Sequence, residues 1–167
     1  MNTQPRRASR CSPLQLAAVL RAYANWFSGV PDSDFAATIN GLPNWHFSPR
    51  ENHSVAMAFG AKLGGARPAV MIQNSGLGLC LDVIAGTFIL HKMPLLLLVS
   101  NRGTLEWEEP QHHHWGRNTT SLLLSFGIPV VDFDALGLDG IRIADSEARA
   151  SQVPVAVTFE RGNISAD

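Results

Sequence analysis

Two cysteines, Cys11 and Cys80, are too few for a disulfide framework in a chain of 167 residues. Cys80 follows a glycine-rich turn at the head of a predicted helix, where a small buried apolar role is expected. An excess of charge is missing as well. The net charge is −1, so no basic field exists to hold nucleic acid or an anionic membrane surface. Long apolar runs are also lacking. The longest, Met93 to Val99 around Pro94, falls far short of the roughly 20 residues that cross a bilayer and reads instead as a buried strand. Residues 1–11 are polar and Arg-rich without the apolar centre of a secretory signal, so a disordered N-terminal tail and a cytoplasmic location are expected.

With 46% hydrophobic and 16% charged residues, the rest of the chain can bury a full core, and a single domain over 12–162 is expected. Helical and strand patterns alternate almost throughout. Ser12-Pro13 starts a helix, Trp26 to Ser28 forms a strand, and Asp32 or Ser33 caps a short helix through Asn40. Trp45 to Phe47 is a second strand, and Glu51 opens a helix packed through Val55, Ala56, Ala58, Phe59 and Leu63. A strand at Ala69 to Ile72 is followed by a helix from Ser75 to His91 and a central strand at Leu95 to Val99. Residues 101–116 show no period and read as a long functional loop. A helix at Thr119 to Phe126, a short strand at Val130-Val131, a weaker helix at Ala135 to Ala150 and a strand at Val153 to Phe159 complete the chain. This order specifies an α/β fold: a doubly wound, mostly parallel six-stranded sheet with helices on both faces.

Four landmarks fall in order along it: Gly29-Val30-Pro31, the helix from Glu51 to Ala61, Gln73-Asn74-Ser75-Gly76-Leu77-Gly78, and Pro110-Gln111-His112-His113-His114-Trp115-Gly116. Ligands of a doubly wound sheet bind beyond the carboxyl ends of its strands, and each landmark follows a strand, so the topology places all four on one rim. Glu51 either complements the positive end of a helix dipole or, if buried, shares a proton with a ligand. Arg102, freed by Gly103, is a fork for a sulfonate, phosphonate or carboxylate, or an ordinary surface arginine. Adjacent histidines point in different directions and have no companion pair at ligand spacing, which argues against zinc at His112 to His114. They are either solvated rings or proton carriers near neutral pH. Gly76-Leu77-Gly78 lacks the third glycine of a dinucleotide fingerprint.

From Trp26 to Val131 the chain resembles the thiamine-diphosphate-dependent sulfopyruvate decarboxylases of two subunits, and the N-terminal part of phosphonopyruvate decarboxylases. In that family a Gly-Val-Pro-x-Ser turn, a Glu-x-x-x-Ala-x-x-x-(Ala/Gly)-x-Ala helix, a Gln-Asn-Ser-Gly-Leu-Gly loop, an Arg-Gly after the central strand and a Pro-Gln-His-x-x-x-Gly segment follow one another. The order is kept here, four of them in full and the helix at Glu51 and Ala61, with Val55 and Phe59 in place of its other two small residues. The resemblance implies the pyrimidine-binding fold of the family. Glu51 matches the glutamate that activates the cofactor by hydrogen-bonding a ring nitrogen, Gly29, Val30 and Pro31 match the turn against the pyrimidine, and Asn74 and Ser75 lie beside it. Ser33, Gln73, Asn74, Arg102, Gln111 and His112 would face a small anionic 2-oxo acid, 3-sulfopyruvate or 3-phosphonopyruvate, converted to an aldehyde and carbon dioxide. His112 and His113 match a catalytic histidine pair of which this branch usually keeps only the first.

The Gly-Asp-Gly segment and downstream Asn that hold Mg2+ and the diphosphate in such enzymes have no counterpart in the chain. The resemblance therefore implies a second polypeptide, a beta subunit that brings Mg2+ and the diphosphate half, in an α2β2 or larger assembly, with the cofactor shared and the lone chain inactive. The helical face of Val83, Ile84, Thr87 and Phe88 is expected to bury against a twin or that partner. Two other functions fit the same residues: a carboligase that joins the decarboxylated fragment to a second carbonyl, and a non-catalytic flavodoxin-like binding subunit. The acidic, aromatic run Glu106-Trp107-Glu108-Glu109 does not suit a dianion and is assigned to a lid or an interface.

Overall fold

The computed structural model describes residues 9–165. Helix α1 (Pro13–Tyr23) starts at a reciprocal cap: Gln15 N–H donates to Ser12 Oγ, Ser12 N–H donates back to Gln15 Oε1, and Pro13 fills the first helical position. There follow β1 (Trp26–Gly29), α2 (Ala36–Ile39), β2 (Trp45–Phe47), α3 (Glu51–Leu63) and β3 (Pro68–Gln73). A 3-10 turn at Asn74–Gly76 leads into α4 (Leu77–Ile84), which widens to a π turn over Ala85–Ile89. Then come β4 (Leu95–Ser100), α5 (Pro110–Ser125), β5 (Val130–Asp132), α6 (Phe133–Leu136), α7 (Asp139–Ser151) and β6 (Pro154–Phe159). No helix among the described residues is long and apolar enough to cross a membrane.

The six strands form one sheet in the order β2-β1-β3-β4-β6-β5, and every pairing is parallel. Strands β3, β4 and β6 are apolar along nearly their whole length because both faces are covered. Ala69, Met71, Leu96 and Leu98 face α1 and α7, whereas Val70, Ile72, Leu97 and Val99 face α3, α4 and α5. Each fully buried Leu or Ile in these two layers contributes about 1.5–3 kcal/mol.

Four expectations need correction. Of the expected tail, residues 1–8 lie outside the described residues, but Ser9 to Cys11 are packed. Cys11 bridges to Ile164 beside β6, accepts from Ser165 N–H and is buried, which pushes its thiol up to about 11. The folded segment therefore extends beyond 12–162 at both ends. The second correction is that α5 begins at Pro110, so the region 101–116 is a loop only to Glu109. A proline at the first helical position needs no N–H partner, and Thr119 and Leu123 supply the buried i, i+4 contacts that anchor the helix. On α3, moreover, Ala56 and Leu63 are exposed, because Ser54, Val55 and Ala58 make the buried side. Finally, Ile84 and Phe88 belong to the chain's own core, Phe88 meeting Phe59 edge-on at 5.4 Å between centroids.

Candidate functional site

The strand order reverses direction between β1 and β3, the position where doubly wound sheets open a ligand crevice. Gly29 ends β1 there, in register with Met71 of β3. A β-carbon at Gly29 would overlap the Met71 carbonyl oxygen and press on the Trp45 ring, so only glycine permits this approach. Val30 is half-buried and Pro31 exposed just beyond it. From β2 the chain returns across the rim: Ser48 N–H donates to the Gly29 carbonyl at 3.2 Å and Ser48 Oγ to the Arg50 carbonyl at 2.7 Å. Ser28 Oγ in turn donates to the Ser54 carbonyl at 3.0 Å, tying α3 to β1.

Glu51 is therefore the first residue of α3, and its half-buried side chain lies across the 3-10 turn after β3. A β-carbon on Gly76 would fall on Cγ and Cδ of Glu51. Among the described residues the Glu51 carboxylate takes no hydrogen bond. Cys80, one turn along α4, is fully buried; its thiol is pushed up to about 12, mainly by burial and further by the Glu51 charge. It fills the buried role expected of it. Gly29, Glu51 and the Gln73–Gly76 turn thus lie on one rim of the sheet, beyond β1 and β3. Arg50 is exposed.

Asn74 is fully buried, and its amide nitrogen faces Asn101 Oδ1 at 3.1 Å, the Arg102 carbonyl at 2.9 Å and Thr119 Oγ1 at 3.0 Å. It braces the 3-10 turn against the segment after β4 and against α5, while its own Oδ1 is buried without a partner. Gln73 Nε2 donates to Ser75 Oγ at 2.8 Å at the rim.

Arg102 is not the open fork that the sequence suggested. It is buried; Nη1 lies 3.3 Å from both Asp34 carboxylate oxygens, and Nη2 donates to Ser33 Oγ at 3.0 Å. Asp34 also accepts from Ser100 Oγ at 2.7 Å. Burial pushes the Asp34 carboxyl up, opposed first by the Ser100 hydrogen bond and then by the Arg102 charge. The pair joins the turn after β1 to the end of β4, two segments far apart in sequence, which is why Asp34 escaped notice.

The histidines stand on the first turn of α5. His112 and His113 are half-buried, with His112 Nδ1 and His113 Nε2 buried and unpartnered, whereas Gln111 and His114 are exposed. The loop after β4 rests directly on this turn. Gly103, at φ +90°, lies so close that a β-carbon would overlap the His112 carbonyl, and one on Gly116 would strike Gly103. Glu108, also missed, fastens the loop: it is 4% exposed, and its Oε2 accepts from Gly103 N–H at 2.8 Å and Leu105 N–H at 3.2 Å. Its place inside an acidic run hid it. The neighbouring Glu106, Trp107 and Glu109 are exposed, with the Arg161 guanidinium 5.3 Å above the Trp107 ring. His113 lines a cavity of about 270 Å³ with Gly103 and Thr104, and a larger one of about 620 Å³ lies on the other side of β4 and includes neither Glu51 nor His112.

Against known proteins, the chain is 30% identical over 117 residues to the sulfopyruvate decarboxylase subunit alpha of Methanococcus maripaludis, covering 67% of this chain and 70% of that protein. It is 32% identical over 115 residues to the protein of the same name from Methanocaldococcus jannaschii, covering 66% of this chain and 67% of the other. The phosphonopyruvate decarboxylase of Streptomyces viridochromogenes is 40% identical over 104 residues, 58% of this chain but 26% of that protein. No protein-family model matches. Among solved structures, 2-oxoglutarate:ferredoxin oxidoreductase from Magnetococcus marinus superposes with a TM-score of 0.63 at 18% identity, covering 95% of this chain and 30% of that one, a likeness of fold. Fold and relatives together define a subunit of the thiamine-diphosphate-dependent enzymes. Within that class, the chain belongs to the family of sulfopyruvate decarboxylase alpha subunits.

Proposed function

We propose that this chain binds the pyrimidine side of thiamine diphosphate and, with a partner subunit, decarboxylates 3-sulfopyruvate or 3-phosphonopyruvate to the aldehyde and carbon dioxide. The observation that carries this is the Glu51 carboxyl laid on Gly76 beside the end of β1, half-buried and without a hydrogen-bond partner among the described residues. The residues present fit the cofactor. Glu51 can hold a proton against a ring nitrogen, the Gly29–Pro31 turn offers a close-packed wall, and the buried Asn74 Oδ1 is an acceptor awaiting a donor. When bound, thiamine diphosphate supplies the electron sink that loss of carbon dioxide from a 2-oxo acid requires.

His112 and His113, each with a buried ring nitrogen free, serve to deliver a proton after carbon dioxide leaves. Ser33, Gln73, Asn74, Gln111 and Arg102 surround the substrate, with Ser75 beside the pyrimidine. An arriving anion competes with Asp34 for the Arg102 guanidinium, which favours a tail of high charge. Mg2+ and the diphosphate are held by the beta subunit, in an α2β2 or larger complex. The relatives named subunit alpha of a sulfopyruvate decarboxylase support a partner chain.

The test is Glu51→Gln in the reconstituted complex, followed by carbon dioxide release from 3-sulfopyruvate and 3-phosphonopyruvate. Turnover should drop by about 100-fold or more with the melting temperature retained. Unchanged turnover would sink the proposal and favour a non-catalytic binding subunit.

A further inference from the structure

Beyond β4 the strand order reverses a second time. The chain leaves β4 through α5 on one face, reaches β5 at the sheet edge, and returns through α7 on the opposite face to β6, which lies between β4 and β5. Connections that depart toward opposite faces open a crevice beyond the carboxyl ends of the strands. The cavity of about 620 Å³ occupies this place and is bounded by the segments that follow β4, β5 and β6. Its size falls within the roughly 300–1,000 Å³ typical of small-molecule sites.

Its charges are arranged in an unusual way. Asp132 ends β5 and Asp134 follows it, Glu160 and Arg161 follow β6, and Arg10 closes the side near the N-terminus. The ion pairs among the described residues are Arg102–Asp34, Arg142–Asp139 and Arg149–Asp145, so none of these five groups is neutralised by another. The carboxylates are nevertheless held in place. Glu160 accepts from Asn101 Nδ2 at 2.9 Å and from Thr104 Oγ1, and Asp134 accepts from the amide of the buried Asn163. Burial pushes the Glu160 carboxyl up against those hydrogen bonds, and Asp134 and Asp132 raise it further. Arg161 is steadied over Trp107. No three His, Cys, Asp or Glu side chains among the described residues are grouped as ligands of a metal ion.

We propose that this cavity is a binding site for a small zwitterion, an amino acid or a molecule of like charge, whose ammonium group meets Asp132, Asp134 and Glu160 and whose acidic group meets Arg10 and Arg161. Asn101 donates to Glu160 and its Oδ1 accepts from Asn74, so such a ligand touches the hydrogen-bonded chain that ends under the Glu51 crevice.

The test is saturation-transfer NMR on the full chain in complex with its partner subunit, using 5-aminovalerate as the probe and pentylammonium and valerate as controls bearing one charge each. The zwitterion should bind at least about fivefold more tightly than either control, and Asp132→Asn and Arg161→Gln should each weaken it by about fivefold, the value of one partly exposed charge contact. Asp132→Asn keeps an oxygen for its contact with Asp134 N–H, and neither side chain is buried, so both variants should retain the native melting temperature. Equal signals from all three probes, binding unaffected by both substitutions, or no zwitterion signal up to about 10 mM would overturn the proposal. So would binding that emerges only after residues 1–8 are deleted, since the chain's own arginine-bearing terminus would then be the occupant.

Discussion

Gly76→Ala isolates the contact on which the cofactor assignment depends. Gly76 has φ −85° and ψ −7°, a conformation that alanine adopts without strain. The atoms nearest the new β-carbon are Cγ, Cδ and Oε2 of Glu51, the last at 2.7 Å. These are the far atoms of a flexible side chain, so the clash is relieved by rotating the carboxyl away. An off-rotamer glutamate costs about 0.5–1.5 kcal/mol, and replacing glycine by alanine near a helix start recovers up to about 1 kcal/mol. The unfolding free energy should therefore change by less than about 1 kcal/mol, or about 2–4 °C in melting temperature for a chain of this size. Activity should respond very differently. A displacement of about 1 Å in a positioning group costs about 100-fold, equivalent to about 2.7 kcal/mol of transition-state stabilisation. Steady-state carbon dioxide release from the complex at saturating cofactor and Mg2+ measures this. Because Gly76→Ala and Glu51→Gln disable the same carboxyl, the double variant should be no slower than the slower single one. Native turnover in Gly76→Ala, or fully additive losses in the double variant, would refute the reasoning.

Other contacts give equally direct expectations. Asp34→Ala leaves the buried Arg102 guanidinium uncompensated and should lower stability by about 3 kcal/mol in urea titrations, most of it recovered in Asp34→Ala/Arg102→Met. Glu160 titrates higher in the folded chain than its ordinary 4.5, so the folded state takes up the extra proton and native stability falls as pH rises from 4.5 through the folded value. Glu160→Gln should remove that slope, and a variant that tracks the native protein across the window would disprove it. Glu108→Ala deprives Gly103 and Leu105 of their acceptor; a loss of about 2 kcal/mol is expected, together with faster proteolytic cleavage between residues 103 and 109.

The strands were legible because parallel strands covered on both faces leave unbroken apolar runs, as at Leu95 to Val99. The Glu51 helix and its glycine turn were legible as a motif, and they meet where the Glu51 side chain lies over the missing β-carbon of Gly76. The start of α5 was not, since Pro110 to Trp115 offers no apolar period and the helix is secured further along by Thr119 and Leu123. The Arg102–Asp34 pair was hidden for another reason: its partners are 68 residues apart and meet only through the sheet register. Cys11 was assigned to a tail because its burial depends on a bridge to Ile164, at the other end of the chain.

Where Gly103 rests on the first turn of α5, main chain touches main chain with no side chain between them. The spacing from Arg102 to the two imidazoles is thereby set by rigid peptide planes rather than by compressible hydrocarbon. Exchanging the groups that point outward from this junction alters chemistry while leaving the ruler unchanged, so descendants of this scaffold can acquire new selectivity at this corner without rebuilding it.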